Sequence, residues 1–196
     1  MSRVLGSLCL LFLSVLIASS AYSSIAGEND GASSPLTTTA QPPKASPGLK
    51  EINQGQFKVS FAIKNTGKEV AVIWPYLSVQ VLDFEDQPVK KTRDLGRWGL
   101  IRSPSILEEI RFVTLAPGKT HTIEVNLKQY MHDADKISAW RLAEPGEYTA
   151  VLHYHFDRAK IKKKYGKGCQ AIDDPMKPWN QAPELDKKIE VLLSVK

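Results

Sequence analysis

Cysteine is nearly missing from this chain. Two occur in 196 residues, and Cys9 lies in an apolar stretch near the N-terminus, which leaves Cys169 as the single thiol of the remainder. No intramolecular disulfide is expected to staple the fold, so a hydrophobic core must hold it. Long apolar runs are missing too: a membrane helix takes roughly 20 such residues, whereas Val4 to Ile17 is shorter and interrupted by Gly6, Ser7 and Ser14. A large excess of one charge is also absent. The formal net charge is +5, and Arg3 is the single charged residue among the first 26, so a small positive balance remains without them. That balance is too small to imply a nucleic-acid partner, and none is expected.

The usual catalytic signatures are wanting as well. No serine nucleophile elbow, zinc-protease helix or paired-carboxylate spacing can be read from the chain. Gly166-Lys167-Gly168 lacks the spacing of a phosphate loop and the Ser or Thr that follows it. No His follows Cys169 before or after Met176, which argues against a cupredoxin copper centre. The chain is therefore expected not to be an enzyme and to need no cofactor.

What is present begins with an export signal. One positive charge at Arg3, the apolar core to Ile17 and the small residues from Ala18 to Ala26 read as a signal peptide over 1–26, cleaved between Ser20 and Ala26. Export places the protein in a periplasm, a cell envelope or the extracellular medium, with no transmembrane segment after cleavage. Residues 27–50 are rich in Ser, Thr, Pro, Gly and Ala and are expected to form a disordered linker. One domain then fills 51–196.

Within that domain, period-two alternation predicts half-buried strands. Phe57, Val59, Phe61 and Ile63 form the first, followed by a turn at Asn65-Thr66-Gly67-Lys68, where Asn and Gly are expected to supply positive φ angles. Val70 to Trp74, then Leu77, Val79 and Val81, continue the pattern to a turn at 83–88. Ile110 to Leu115 leads into Ala116-Pro117-Gly118-Lys119, a type II turn signal, and Ile123, Val125 and Leu127 follow. Tyr148 to Phe156 is the longest alternating run, and Ile189 to Val195 closes the chain. About seven strands and no convincing amphipathic helix indicate an all-β antiparallel β-sandwich. Two long loop insertions, Thr92 to Glu109 and Asp157 to Lys187, exceed a minimal sandwich and are where a distinguishing site is expected.

The stretch Leu142-Ala143-Glu144-Pro145-Gly146-Glu147-Tyr148-Thr149-Ala150 resembles the penultimate-strand corner of immunoglobulin and fibronectin type III domains. That resemblance implies a structural corner tyrosine at Tyr148, and Ala150 stands where antibody domains carry a cysteine. Together with Asn65-Thr66-Gly67 and Leu115-Ala116-Pro117-Gly118, the layout from Phe57 to Val195 is similar to secreted bacterial immunoglobulin-like domains, including those likened to the intracellular proteinase inhibitor of bacilli. It implies an immunoglobulin-like fold, with Trp74 as a core tryptophan, far more than any function.

Candidate functional residues fall into three groups. Arg97, Trp98 and Arg102 on the first long loop, and Lys163, Tyr165 and Trp179 on the second, suit a contact surface for an unknown protein or cell-envelope component. Trp98 and Trp179 equally suit pins that fasten the loops. His153 and His155 flank Tyr154, so on a strand both imidazoles share a face and offer metal ligands, to be completed by His121, His132, Asp157 or Cys169. Cys169, beside Lys160, Lys162, Lys163, Lys164 and Lys167, is a possible reactive thiol. The leading expectation is an exported, non-enzymatic binding or envelope-associated domain. The alternatives are a metal-binding or thiol-dependent protein and, on fold analogy, a protease-inhibitor-like domain.

Overall fold

Every alternating stretch of the sequence is extended in the computed structural model, which describes residues 34–41, 46–97, 106–133 and 136–196. The signal-peptide segment lies outside the described residues. In chain order the elements are β1 (Leu36–Gln41), α1 (Leu49–Gln54), β2 (Lys58–Asn65), β3 (Ala71–Ile73), β4 (Ser78–Leu82), β5 (Lys91–Arg97), α2 (Ile106–Glu109) and β6 (Val113–Leu115). There follow β7 (Thr120–Asn126), β8 (Gln129–Asp133), β9 (Lys136–Trp140), β10 (Gly146–Phe156), α3 (Arg158–Tyr165), α4 (Pro178–Gln181) and β11 (Leu185–Val195). The protein is all-β, with short helices, and its strands pair antiparallel in sheets ordered β1-β2-β7, β11-β10-β4, β3-β6 and β5-β9-β8.

The pleat explains the core. Along β10, Tyr148, Ala150, Leu152, Tyr154 and Phe156 are buried while the residues between them are partly or fully exposed. β2 buries Val59, Phe61 and Ile63 in the same way. The two strands belong to different sheets, yet the Phe61 and Tyr154 rings stack at 6.1 Å, so a shared core joins the sheets. Trp74 anchors one end of it, with ring centroids 5.3 Å from Tyr76, 5.5 Å from Phe112 and 5.6 Å from Phe156. The main-chain N–H of Trp74 donates to the Tyr154 hydroxyl at 3.0 Å, which satisfies a polar group inside that aromatic cluster. Full burial of each large apolar side chain stabilises the fold by about 1.5–3 kcal/mol.

Four of the expectations are corrected by the fold. Residues 27–50 are not all a disordered linker: Leu36–Gln41 pairs along its whole length with β2, and the segment from Pro47 is tied to the other end of the chain by Leu49 N–H to Lys196 O at 2.7 Å and Lys196 N–H to Pro47 O at 2.9 Å. Backbone hydrogen bonds and the burial of Leu36 and Pro47 order a stretch whose composition has little else to bury. The domain therefore begins before residue 51. Beyond the seven expected strands, the described residues contain β1, β5, β8 and β9.

Asn65 and Gly67 do not form a hairpin through positive φ angles. β2 and β3 lie in different sheets, neither residue has a positive φ, and the side chain of Asn65 shapes the crossover instead. Its Oδ1 accepts from Gly67 N at 2.9 Å, and its Nδ2 donates to Glu69 O at 2.8 Å and Leu115 O at 2.9 Å. Gly118, by contrast, takes φ 73° in the turn where Lys119 N–H meets Ala116 O.

Finally, the long insertion between the paired strands β10 and β11 is not structureless. Asp157 caps α3 by accepting from Lys160 N at 2.9 Å, which holds its carboxyl below the ordinary value. Lys162, Lys163 and Lys164 in the last turn complement the helix dipole. Ile161 and Tyr165, four apart and so on one helical face, are buried.

Candidate functional site

On β10 the residues alternate with those of the core, so His153 and His155 both point to the outer face of the β11-β10-β4 sheet. The ladder then supplies a third group. His155 pairs directly with Asp186 of β11 and His153 with Lys188, and cross-strand partners project from the same face. Asp186 Oδ1 lies 2.6 Å from His153 Nε2, and its Oδ2 lies 3.1 Å from His155 Nδ1. Each carboxylate oxygen thus faces one imidazole. The imidazole rings stand 5.4 Å apart at 41°.

The two contacts differ in kind. His153 Nε2 is within hydrogen-bonding geometry of the carboxylate, whereas the buried His155 Nδ1 is close enough for an ion pair but out of line for a hydrogen bond. Desolvation pushes the Asp186 carboxyl up, and the hydrogen bond and charge of His153, with the charge of His155, outweigh it and hold the group below the ordinary carboxylate value.

The two histidines of this trio border a pocket of about 310 Å³. Its floor is the outer face of β10 and the start of β4 at Ser78, whose hydroxyl lies 3.4 Å from the His153 carbonyl. One wall is α3, through Lys160, Ile161, Lys164 and Tyr165, and the other is the Trp74 to Leu77 segment. Lys160 reaches Asp157 at 3.2 Å, and the Lys164 ammonium stands 4.9 Å from the Tyr165 ring centroid. The lining is largely aromatic and aliphatic, with cations along the helical side.

The sequence candidates are distributed unevenly about this site. His153 and His155 are brought together as expected from their spacing, but the third group is Asp186, not His121, Asp157 or Cys169. The side chain of His132 lies outside the described residues. Tyr165 lines the pocket and is buried in the core rather than displayed on a contact surface. Trp179 is likewise buried, with Nε1 donating to Ile172 O at 2.9 Å, and so fastens the insertion. Lys163 is exposed. Arg97 pairs through its backbone with Lys136, its side chain being outside the described set, and Trp98 and Arg102 lie outside the described residues.

Cys169 is half-buried, and its thiol donates to Glu108 Oε1 at 3.5 Å and to Gln170 O at 3.6 Å. Gln170 N also donates to Glu108 at 3.0 Å, so one carboxylate of α2 clamps this turn of the insertion. An acid distant in sequence thus contacts the thiol. Tyr148 donates its hydroxyl to Glu144 O at 2.9 Å, four residues back at the corner. Burial, then the Glu144 charge, pushes that phenol up.

No protein-family model matches the chain, and no curated protein matches it in sequence. Among solved structures it is weakly similar to a FixG-related protein from Vibrio parahaemolyticus, at 10% identity and a TM-score of 0.34, over 84% of this chain and 99% of that one. Likeness at that level carries no argument about role. Among the described residues no helix is long and apolar enough to cross a membrane.

Proposed function

We propose that this is an exported, non-enzymatic binding domain whose β1-β2-β7 and β11-β10-β4 sheets form the two halves of an immunoglobulin-like sandwich, and whose ligand is a small organic anion with a flat apolar part. One observation carries the ligand reading: the pocket of about 310 Å³ between α3 and the outer face of β10. Its volume lies in the range of ligand clefts, roughly 300–1,000 Å³. Tyr76, Tyr165 and Ile161 offer apolar walls, and Lys160 and Lys164 give the mouth a positive rim. The stacked Phe61 and Tyr154 rings and the Tyr148 corner bond support the sandwich. The small-residue leader supports export.

Ser78→Trp should fill the floor of the pocket from a partly exposed strand end and leave the core intact. Wild type and variant are compared by amide chemical-shift mapping against aromatic carboxylates, organophosphates and soluble envelope-polymer fragments. The expected result is at least one anion that shifts residues around Ser78 and Lys164 in the wild type and none in Ser78→Trp. Identical spectra for the two proteins across the whole panel would overturn the reading.

A further inference from the structure

We infer that His153, His155 and Asp186 form a binding site for a single divalent transition-metal ion of the Zn²⁺ or Cu²⁺ class. Three side chains on two paired strands converge here: their ligand atoms all lie within 4.8 Å of one another. Atoms bound tetrahedrally to one ion at about 2.0–2.2 Å stand roughly 3.3–3.6 Å apart. Small side-chain rotations on a fixed sheet bring the trio to that spacing, because the ladder pair His155 and Asp186 and the period-two neighbour His153 set the Cα positions.

The state of His155 argues in the same direction. Its Nδ1 is buried and makes no hydrogen bond, although Asp186 Oδ2 is 3.1 Å away. A buried ring nitrogen without a partner is disfavoured, and an ion between the nitrogen and the carboxylate would satisfy it. The surroundings leave the two imidazoles half-buried, at 28% and 35% exposure, so an ion has a way in. Both histidines also line the pocket, which leaves room for water or an exogenous anion to complete the coordination.

The donor set selects the class of metal. Two imidazoles and one carboxylate suit Zn²⁺, Cu²⁺ or Ni²⁺, whereas all-oxygen sites suit Ca²⁺ and Mg²⁺. No thiolate contributes, since Cys169 is engaged by Glu108. The metal site shares His153 and His155 with the pocket lining but turns on the Asp186 carboxylate, whereas the organic-anion reading turns on Lys160, Lys164 and the apolar walls, so either can fail while the other stands.

Tag-free protein is titrated with Zn²⁺ alone and with Cu²⁺ alone by calorimetry, with the four histidine rings followed by NMR. We expect saturable uptake of one equivalent, perturbation of the His153 and His155 rings, and a Tm raised by the metal. His153→Gln and Asp186→Asn, both at partly exposed positions, should each weaken binding at least about tenfold with the circular dichroism spectrum preserved. Cys169→Ser should bind as the wild type does. Absent or unsaturable uptake, equal affinity in His153→Gln, or loss of binding in Cys169→Ser would each overturn the inference. Should Asp186→Asn fail to fold, His153→Gln decides alone.

Discussion

Asn65 ends β2 with its side chain wholly out of water, and it commits both amide protons and its carbonyl oxygen to backbone groups of two other segments. Asn65→Ala removes all three bonds and strands Leu115 O in the interior. The expected loss is about 2–4 kcal/mol, seen as a lower urea midpoint with an unchanged slope. Tyr154→Phe is a smaller change of the same kind. It deprives the buried main-chain N–H of Trp74 of its acceptor at a cost of about 1–3 kcal/mol, and near-ultraviolet circular dichroism should keep the Trp74 signature if packing survives. Asp186 acts through pH. Its carboxyl is held below the ordinary value of 3.8, so its contribution is present above that value and is lost as pH falls through the lower folded value. The Tm curves of wild type and Asp186→Asn should therefore converge in acid, below about pH 4. The gap between them at neutral pH should be small, because the carboxylate is 61% exposed and screened by water.

Helix α3 depends on how closely its end packs. A Cβ at Gly166 would overlap Ile172 Cδ1 and the Lys162 carbonyl, and the carbonyl already accepts from Gly166 N. Gly166→Ala should lower stability by about 1–3 kcal/mol, read as a lower Tm together with weaker protection of the α3 amides against hydrogen exchange. The helix was hard to read in the sequence because its large apolar residues are two, Ile161 and Tyr165, among lysines that resemble a solvated loop. Strands with an apolar face were legible, as Phe57 to Ile63 and Tyr148 to Phe156 illustrate. β1 was not, since Thr37, Thr38 and Thr39 are held by ladder bonds to β2 more than by burial. Asp186 was equally opaque: its approach to His155 depends on a register between strands about thirty residues apart in sequence, which no local pattern encodes. Chains lacking residues 1–45 should leave one side of β2 unpaired and associate at high concentration, as light scattering would report.

At the scale of the molecule, the segment first read as a contact loop contributes to the core. Ile161, Tyr165 and Trp179 are buried with the strands, so deletion of 160–180 should abolish cooperative unfolding rather than remove a surface. That distinguishes structural insertions from decorative ones. The two tryptophan readings are separated by the structure at Trp179, which fastens the segment through Ile172, while Trp98 lies outside the described residues.

The longest ladder among the described residues, β10 with β11 over Gly146–Phe156 and Leu185–Val195, has the insertion between its strands where a two- to five-residue turn would be usual. Closing a flexible loop of that length in place of a short turn adds roughly 1.5–2 kcal/mol of entropy to the pairing step. Zippering of the central strand is therefore slow unless the insertion has begun to order. The Asp157 cap and the Trp179 anchor shorten the loop that remains to be closed, which makes a segment chosen for its position in space a determinant of time: how soon the sheet can form.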